Sequence, residues 1–496
     1  MMFAEAMLPE RLEGFCIHLV GAKGTGMTAL AEILSARGAR LTGSDVADVF
    51  YTDSILRVLG VEMRVGFDAS HIPEKTGLVI HSAAYNRNSN PELLESARRN
   101  LPTMNYPEAL GAFSRRSDSS GIAGVHGKTT TTALAGSVIG ALGLPATVLA
   151  GSAVSSFDNR STMIRGDHYF IAETCEYRRH FLAFSPSRIV LTSIESDHQD
   201  CFPAFKDIYD AFMDYLRLLP EGGELIYCTD DAGASAAARE IAAERPDIRL
   251  TPYGENAGGP YRLTNYMSGN GVARFQLFGF EAEFLLHVPG KHIALDAVAA
   301  LALSFSLLEN ERRQCNFTSL KPTMADLSEA QNALAQFAGS KRRSEILGEA
   351  GGVLFMDDYG HHPTAIRETI HGIKEFWPEK RLVVDFMSHT HSRTKALFND
   401  FAKSLDESDV VVMHGIYTSA RESPDPEISG RALFEEVRGR CASRPSYYFE
   451  GVLEGIEDLA VVVKPGDLFL TMGAGDNWKL GEALLAHFLD AERDDD

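Results

Sequence analysis

Positive charge is scarce in this 496-residue chain: 47 Lys and Arg face 68 Asp and Glu, a formal net charge of −21. Nucleic acid and anionic membranes are bound through broad basic surfaces that displace counterions, so neither is an expected partner. Any anionic ligand has to be met by local groups. Cysteines are few (Cys16, Cys175, Cys201, Cys228, Cys315 and Cys441), and none has CxxC spacing. That scatter suits reduced thiols and argues against a disulfide framework or a zinc knuckle. No run approaches the roughly 20 apolar residues of a membrane span. The opening "MMFAEAMLPERLEGF" has acids where a signal peptide needs basic and then apolar residues. The expected setting is therefore cytoplasmic. Repeats and low-complexity segments are missing too.

What is present is alternation. Short apolar runs precede helical patterns almost throughout, as in "CIHLV" before "MTALAEILSAR" and "RIVLTSI" before "FKDIYDAFMDYLRLL". This is the signature of an α/β chain with mostly parallel sheets covered by crossover helices. The length suggests about three domains. Polar breaks at "SRRSDSSG" (114–121) and "QFAGSKRRSE" (336–345) divide the chain into residues 1–115, 116–336 and 337–496. The stretch 260–290 alternates and carries a "GNG" turn, which predicts antiparallel hairpins appended to the middle domain.

Two loops have phosphate-binding form. "GAKGTGM" (21–27) follows a strand and opens a helix, so its backbone N–H groups face a potential anion. Asp45, in "GSD" nineteen residues after Gly26, stands where a dinucleotide enzyme keeps its ribose-binding carboxylate. Lys23 replaces the second glycine of that fingerprint, which favours a nucleotide diphosphate paired with Lys23 over a nicotinamide cofactor. "GVHGKTTTT" (124–132) joins a phosphate loop, a lysine suited to terminal phosphates and hydroxyls able to ligate magnesium, although Ile122 occupies the place of the usual first glycine. Acids follow at two later strand ends: Glu173 and Glu176, then Glu195, Asp197 and Asp200 with His198. Ligands collect at the carboxyl ends of parallel strands, so these groups are expected to face the phosphate loop, with Glu173 and a threonine hydroxyl as magnesium ligands. In the last third, "MDDYGHHPT" and "FMSHTHSRT" hold four histidines without the spacing of a zinc site. Asp357, Asp358, His361 and Arg393 instead suit a small zwitterion, carboxylates for its ammonium and arginine for its carboxylate.

Taken together, "GTGM" with "GSD", "HGKTTTT", "EYRRHFL", "IESDH", "PGKH", "DDYGHHPT", "SRT" and "GAGD" resemble the Mur ligases of peptidoglycan precursor synthesis, on the alanine-adding branch. The resemblance implies a Rossmann-like N-terminal domain for a UDP-sugar, a central ATPase of P-loop type and a Rossmann-like C-terminal domain for the amino acid. It implies ATP-dependent attachment of L-alanine to the lactyl carboxylate of UDP-N-acetylmuramate through an acyl phosphate, by a monomer or homodimer, with ATP bound first. By the same resemblance the UDP-sugar lies on Gly24, Gly26, Met27, Ser44, Asp45 and Ser82, and ATP on Gly124, His126, Gly127, Lys128, Thr129, Thr130, Lys291 and His292. Asp358, Tyr359, His361 and Arg393 hold the amino acid. Lys128, His198 and Glu173 are catalytic, and Thr129 or Thr130 with Glu173 holds one Mg2+, with His198 near a second. "DAFMD" offers no lysine for carbamylation. Ile293, Asp296 and Thr390 depart from the family pattern, so Arg393 alone is expected to hold the alanine carboxylate. The competing readings are a murein peptide ligase of cell-wall recycling and a non-catalytic nucleotide-binding protein on the same fold.

Overall fold

The apolar runs form the strands of three parallel-rich sheets in the computed structural model, which describes residues 8–418 and 425–495. The first seven residues of the acidic opening lie outside that range. Two compact units emerge. One comprises the chain to Ile194 with Asp210–Tyr253 and Ala299–Ala330; the other comprises Glu195–Tyr209, Gly254–Val298 and the chain from Gln331.

The first unit holds two sheets. β1 (Cys16–Val20), β2 (Arg40–Asp45), β3 (Glu62–Val65), β4 (Leu78–His81) and β5 (Thr103–Asn105) are all parallel, in the order β3-β2-β1-β4-β5. The chain leaves β1 toward β2 on one side and returns through β4 on the other. The crevice at that reversal lies above β1, where the first phosphate-type loop sits. The second sheet has seven strands: β6 (Asp118–Ala123), β7 (Ala146–Val154), β8 (Arg160–Ile164), β9 (Tyr169–Glu173), β10 (Arg188–Leu191), β11 (Glu224–Cys228) and β12 (Arg249–Tyr253). Its order, β12-β11-β10-β6-β9-β7-β8, is parallel except for the β7–β8 pair at one edge. Here β6 is the reversal strand, flanked by β9 and β10, so the loop after β6 opens between their carboxyl ends.

The second unit contains an antiparallel sheet of β13 (Leu263–Gly269), β14 (Val272–Leu277) and β15 (Glu283–Leu286), with its turn at Asn270–Gly271. The expected hairpins are therefore present, and they group with the C-terminal residues: the Gly271 N–H donates to Phe376 O at 3.1 Å. The other sheet comprises β16 (Glu345–Ala350), β17 (Val353–Asp358), β18 (Arg381–Phe386), β19 (Val410–Met413), β20 (Ser446–Tyr448) and β21 (Asp467–Met472). It runs β16-β17-β21-β18-β19-β20, with only β16 antiparallel. Apolar side chains pack on both of its faces, Met356, Leu382 and Leu470 in one layer, Phe355, Val383 and Phe469 in the other. That two-sided burial explains why these strands read as continuous apolar runs.

One expectation needs correcting. The helix Lys291–Gln314 is long and apolar enough to cross a membrane, with a mean hydropathy of 1.5 over its best window. Yet 83% of that window is buried inside the protein, so it serves as a core helix. All six cysteines are free.

The helix Thr25–Ala36 packs across β7 and β8 and ties the first sheet to the second. Its Glu32 is buried there: Oε2 accepts from Thr162 Oγ1 at 2.8 Å, while Oε1 has only Arg160 Nε at 3.8 Å and no hydrogen bond. Burial pushes the Glu32 carboxyl pKa up. A carboxyl group raised in the folded state stabilises the fold below its unfolded pKa and loses that contribution as pH rises through the folded value. Glu32→Gln is therefore expected to melt above wild type near about pH 8, by about 1–2 °C for each kcal/mol relieved. The gap should close toward about pH 5, as the wild-type carboxyl takes up its proton. Thermal unfolding of both proteins across that range checks this; a gap that is constant or reversed contradicts it.

Candidate active site

The loop after β6 is shaped by two glycines. Gly124 has φ +142 and Gly127 φ +78, and a Cβ on Gly124 would lie 2.0 Å from Thr192 Oγ1. Thr192 and Ser193, just past β10, fasten the loop: Ser193 O accepts from Val125 N at 3.1 Å, Ser193 Oγ accepts from His126 N at 2.9 Å, and Thr192 Oγ1 donates to His126 O at 2.5 Å. Gly127 then caps the helix Lys128–Ala141 in the left-handed conformation, and its own O accepts from Thr131 N at 2.8 Å. The loop and the first helical turn present backbone N–H groups at a positive helix end.

Lys128 Nζ donates to Gly124 O and reaches Glu176 Oε2 at 3.0 Å and Oε1 at 3.3 Å. Burial disfavours the ammonium, but Glu176, Cys175 and Glu173 outweigh it and hold the pKa above that of an ordinary lysine. Beside this pair, Thr129 Oγ1 donates to Glu173 Oε2 at 2.8 Å. The expected threonine–glutamate pair is thus assembled, and it offers hard oxygen donors of the kind magnesium prefers. Thr130 is buried in the same turn. Sequence marks Glu176 only as a strand-end acid; its place three residues beyond Glu173, on the strand end beside the loop lysine, is the signal for this pairing. Next to Glu173 opens a cavity of about 160 Å³ whose walls include Gly26, Tyr106, Gly151 and His180.

The first loop departs from expectation. Lys23 does not turn outward to a diphosphate: its Nζ donates to Val46 O at 3.0 Å and Asp48 O at 2.7 Å, and it pairs with Asp53 at 3.2 Å. Asp45 is buried, with Oδ2 accepting from Lys23 N at 2.7 Å and Oδ1 from Val46 N at 2.8 Å and Tyr85 Oη at 3.2 Å. Its carboxylate therefore organises the loop. Ser44 is fully buried and donates inward to Glu92 Oε2 at 2.5 Å, and Met27 belongs to the core. Gly24 stays open, with nothing closer than 3.8 Å to a Cβ placed there. Ser82, after β4, accepts from Ala84 N at 3.3 Å.

In the second unit, Arg393 is not a lone guanidinium waiting for a carboxylate. Its Nε and Nη2 donate to Asp197 Oδ1 at 3.0 and 2.8 Å, and both residues are buried. Burial pushes the Asp197 carboxyl up, but Arg393, with His198 and His361, holds it far below the ordinary range. His198, in the left-handed region at φ 54, donates its N–H to Asp197 Oδ1 at 2.7 Å. His361 sits close by, its pKa driven well down by burial and by Arg393, and its Nδ1 donates to Tyr359 O at 2.9 Å. Asp357 and Asp358 are likewise engaged: Asp357 with Arg342 Nε at 2.8 Å and Thr471 Oγ1 at 2.7 Å, Asp358 with Ser344 N at 2.7 Å and Gly360 N at 2.6 Å. The two carboxylates brace the loop that carries Tyr359 and His361. Lys291 pairs with Glu255 at 2.7 Å on the surface, and the His292 ring covers Gly290.

Two Rossmann-like sheets and a parallel sheet with a phosphate loop at its reversal point are the parts of a nucleotide-dependent α/β enzyme. The chain belongs to the Mur ligase family: residues 16–118 match the Mur ligase family catalytic domain, 122–304 the Mur ligase middle domain, and 342–475 the Mur ligase glutamate ligase domain. It is 50% identical over 481 residues to a UDP-N-acetylmuramate–L-alanine ligase of Treponema pallidum (strain Nichols), covering 97% of this chain and 98% of that one. A ligase of the same name from Borreliella afzelii (strain PKo) is 37% identical, over 94% of this chain and 98% of its own. Among solved structures, the UDP-N-acetylmuramate-alanine ligase of Thermotoga maritima shares the fold with a TM-score of 0.74 at 23% identity, over 96% and 99% of the two chains.

Because a buried ion pair broken on one side leaves a charge uncompensated, Arg393→Ala should cost about 3–5 kcal/mol of stability. The double variant Arg393→Met, Asp197→Asn should recover most of it. The loss should also shrink below about pH 4, where the unfolded chain's carboxyl is protonated and a depressed native pKa no longer contributes in full. Denaturant unfolding of the three proteins tests this; equal losses in single and double variants contradict it.

Proposed function

We propose that this chain is an ATP-dependent, ADP-forming ligase that joins L-alanine to the lactyl carboxylate of UDP-N-acetylmuramate, acting in the cytoplasm as a monomer or homodimer of three-domain chains with boundaries near residues 115 and 336. The observation that carries the reading is the assembly of Lys128, Thr129, Glu173 and Glu176 at the carboxyl ends of β6 and β9. The full-length likeness to ligases named for these substrates supports it.

A carboxylate is a poor acyl donor until one of its oxygens becomes a good leaving group. Its oxygen attacks the γ-phosphorus of ATP, the bond to ADP breaks, and an acyl phosphate forms. The amine of L-alanine then attacks the acyl carbon, phosphate departs, and the nitrogen gives up a proton. Lys128 lies where incoming phosphates take over from Glu176 as its partner, and it offsets their charge as the two anions approach. Thr129, Thr130 and Glu173 would hold magnesium, which neutralises terminal phosphate charge when bound; His198 would lie near a second ion. Gly124, His126 and Gly127 cradle the nucleotide phosphates, and Lys291 and His292 are assigned to the same nucleotide. Gly24, Gly26 and Ser82 receive the UDP-sugar, with Asp45 and Ser44 behind them. Tyr359, His361 and the Arg393–Asp197 pair frame the amino acid.

Phosphate release with UDP-N-acetylmuramate and ATP should depend on L-alanine. Turnover only with a murein tripeptide would identify a recycling ligase, and none with either amine a non-catalytic binder. Lys128→Ala should abolish release while leaving UDP-sugar affinity within about twofold, since the lost charge acts on ATP and the transition state. ADP formation at the wild-type rate in that variant would remove Lys128 from the mechanism.

A further inference from the structure

We propose that Tyr106 is a substrate-binding residue whose hydroxyl donates a hydrogen bond to the lactyl carboxylate of the UDP-sugar, in the cavity beside Glu173. The inference rests on the function proposed above and assigns a residue to the acyl-bearing arm of that substrate.

Tyr106 is the first residue of the helix Tyr106–Ser114, whose start is fixed on both sides. Asn105 Oδ1 accepts from Glu108 N at 2.9 Å, Glu108 Oε2 accepts from Asn105 N at 2.7 Å, and Pro107 follows. Such a reciprocal cap sets the entry of the chain into the helix and thus the direction of its first side chain. The phenol lies against Gly26, the last glycine of the first loop: a Cβ there would come within 2.8 Å of Tyr106 Cζ and 3.0 Å of its Oη. On the cavity's other side, a Cβ on Gly151 would lie 2.2 Å from Glu173 Oε2. Two glycines therefore clear room for two polar heads in one small chamber, a phenol from the first sheet's domain and a carboxylate from the second's.

The remaining walls are largely apolar, with Leu110, Leu149, Phe181 and Phe184 among them. Tyr106 is half-buried, and among the described residues no hydrogen bond to its hydroxyl is present, which leaves that hydroxyl open to a ligand in the cavity. Burial, with Glu173 and Cys175 nearby, pushes the phenol's pKa up. A phenol O–H can donate, and a carboxylate on a substrate is a matching acceptor. A volume of about 160 Å³ takes a handful of heavy atoms, which suits a short acidic arm and excludes a whole nucleotide sugar. Glu173 directs one oxygen at Thr129, toward the phosphate loop. An arm entering the cavity past Tyr106 toward Glu173 would therefore end near the phosphate loop.

UDP-N-acetylglucosamine supplies the control, being the same nucleotide sugar without the lactyl arm. Tyr106→Phe keeps the ring against Gly26 and removes only the donor. The variant is expected to bind UDP-N-acetylmuramate about ten- to a hundredfold more weakly by calorimetry, the range for a charge-assisted hydrogen bond. Its inhibition constant for UDP-N-acetylglucosamine should be unchanged, as should the KM values for ATP and L-alanine. Equal weakening of both sugars, or no weakening of the muramate, would overturn the assignment. A wild-type protein that does not bind UDP-N-acetylmuramate would instead refute the function on which it rests.

Discussion

One ammonium, that of Lys128, anchors the phosphate-type loop, and the proposed reaction depends on it. A strongly acidic chain has to bring a carboxylate and a triphosphate together, and uncompensated anions in a sheltered site repel each other steeply. Lys128 is held by Gly124 O and by Glu176 at the strand where the central sheet reverses. Its location follows from backbone geometry. Gly124 and Gly127 take conformations in which a side chain would be strained, and Thr192 and Ser193 on the neighbouring strand's end fasten the loop between them. Glu176 keeps the ammonium paired in a site that is largely out of water, so phosphate entry becomes an exchange of partners without the cost of a bare buried charge.

The parts legible in the sequence were those that depend on neighbours along the chain. Strand runs, the phosphate loop before the Lys128 helix, and Glu173 at the next strand end could be read because a βα unit places its loop by connectivity alone. The Asn270–Gly271 turn was equally local. What the sequence does not show is a side chain's partner that comes from far away. Arg393 and Asp197 are 196 residues apart, and nothing near either says that they neutralise each other. Lys23 looked like a phosphate ligand because its loop has the right form, but the Val46 and Asp48 carbonyls turn it back. The helix Lys291–Gln314 shows the same limit in apolar terms: buried on nearly all sides, it has the composition of a membrane span. Tyr106 left only a helix-start pattern, "NYPE", which announces a cap and says nothing of a cavity.

The polar networks divide into those that build loops and those left facing open space. Asp45, Asp357 and Asp358 spend their oxygens on nearby N–H or O–H groups and fix the loops that follow β2 and β17. Buried carboxylates satisfied in this way give rigid scaffolds for neighbouring residues. Groups with remaining hydrogen-bonding capacity are, in the first unit, the loop N–H groups, Lys128 and the Thr129–Glu173 pair, and, in the second, the ring of His361, whose pKa burial and Arg393 hold well down. Within each unit, that division leaves few of the many acids available to a ligand.

The central claim is that the substrate carboxylate is activated by phosphoryl transfer in the chamber beside Lys128 and Glu173. Oxygen-18 placed in the lactyl carboxylate of UDP-N-acetylmuramate tests it most directly, by mass analysis of the phosphate released during a single turnover with L-alanine. An acyl phosphate requires one labelled oxygen to leave with that phosphate, and this is the predicted result. Phosphate carrying no label, alongside amide formed at the normal rate, would contradict the account.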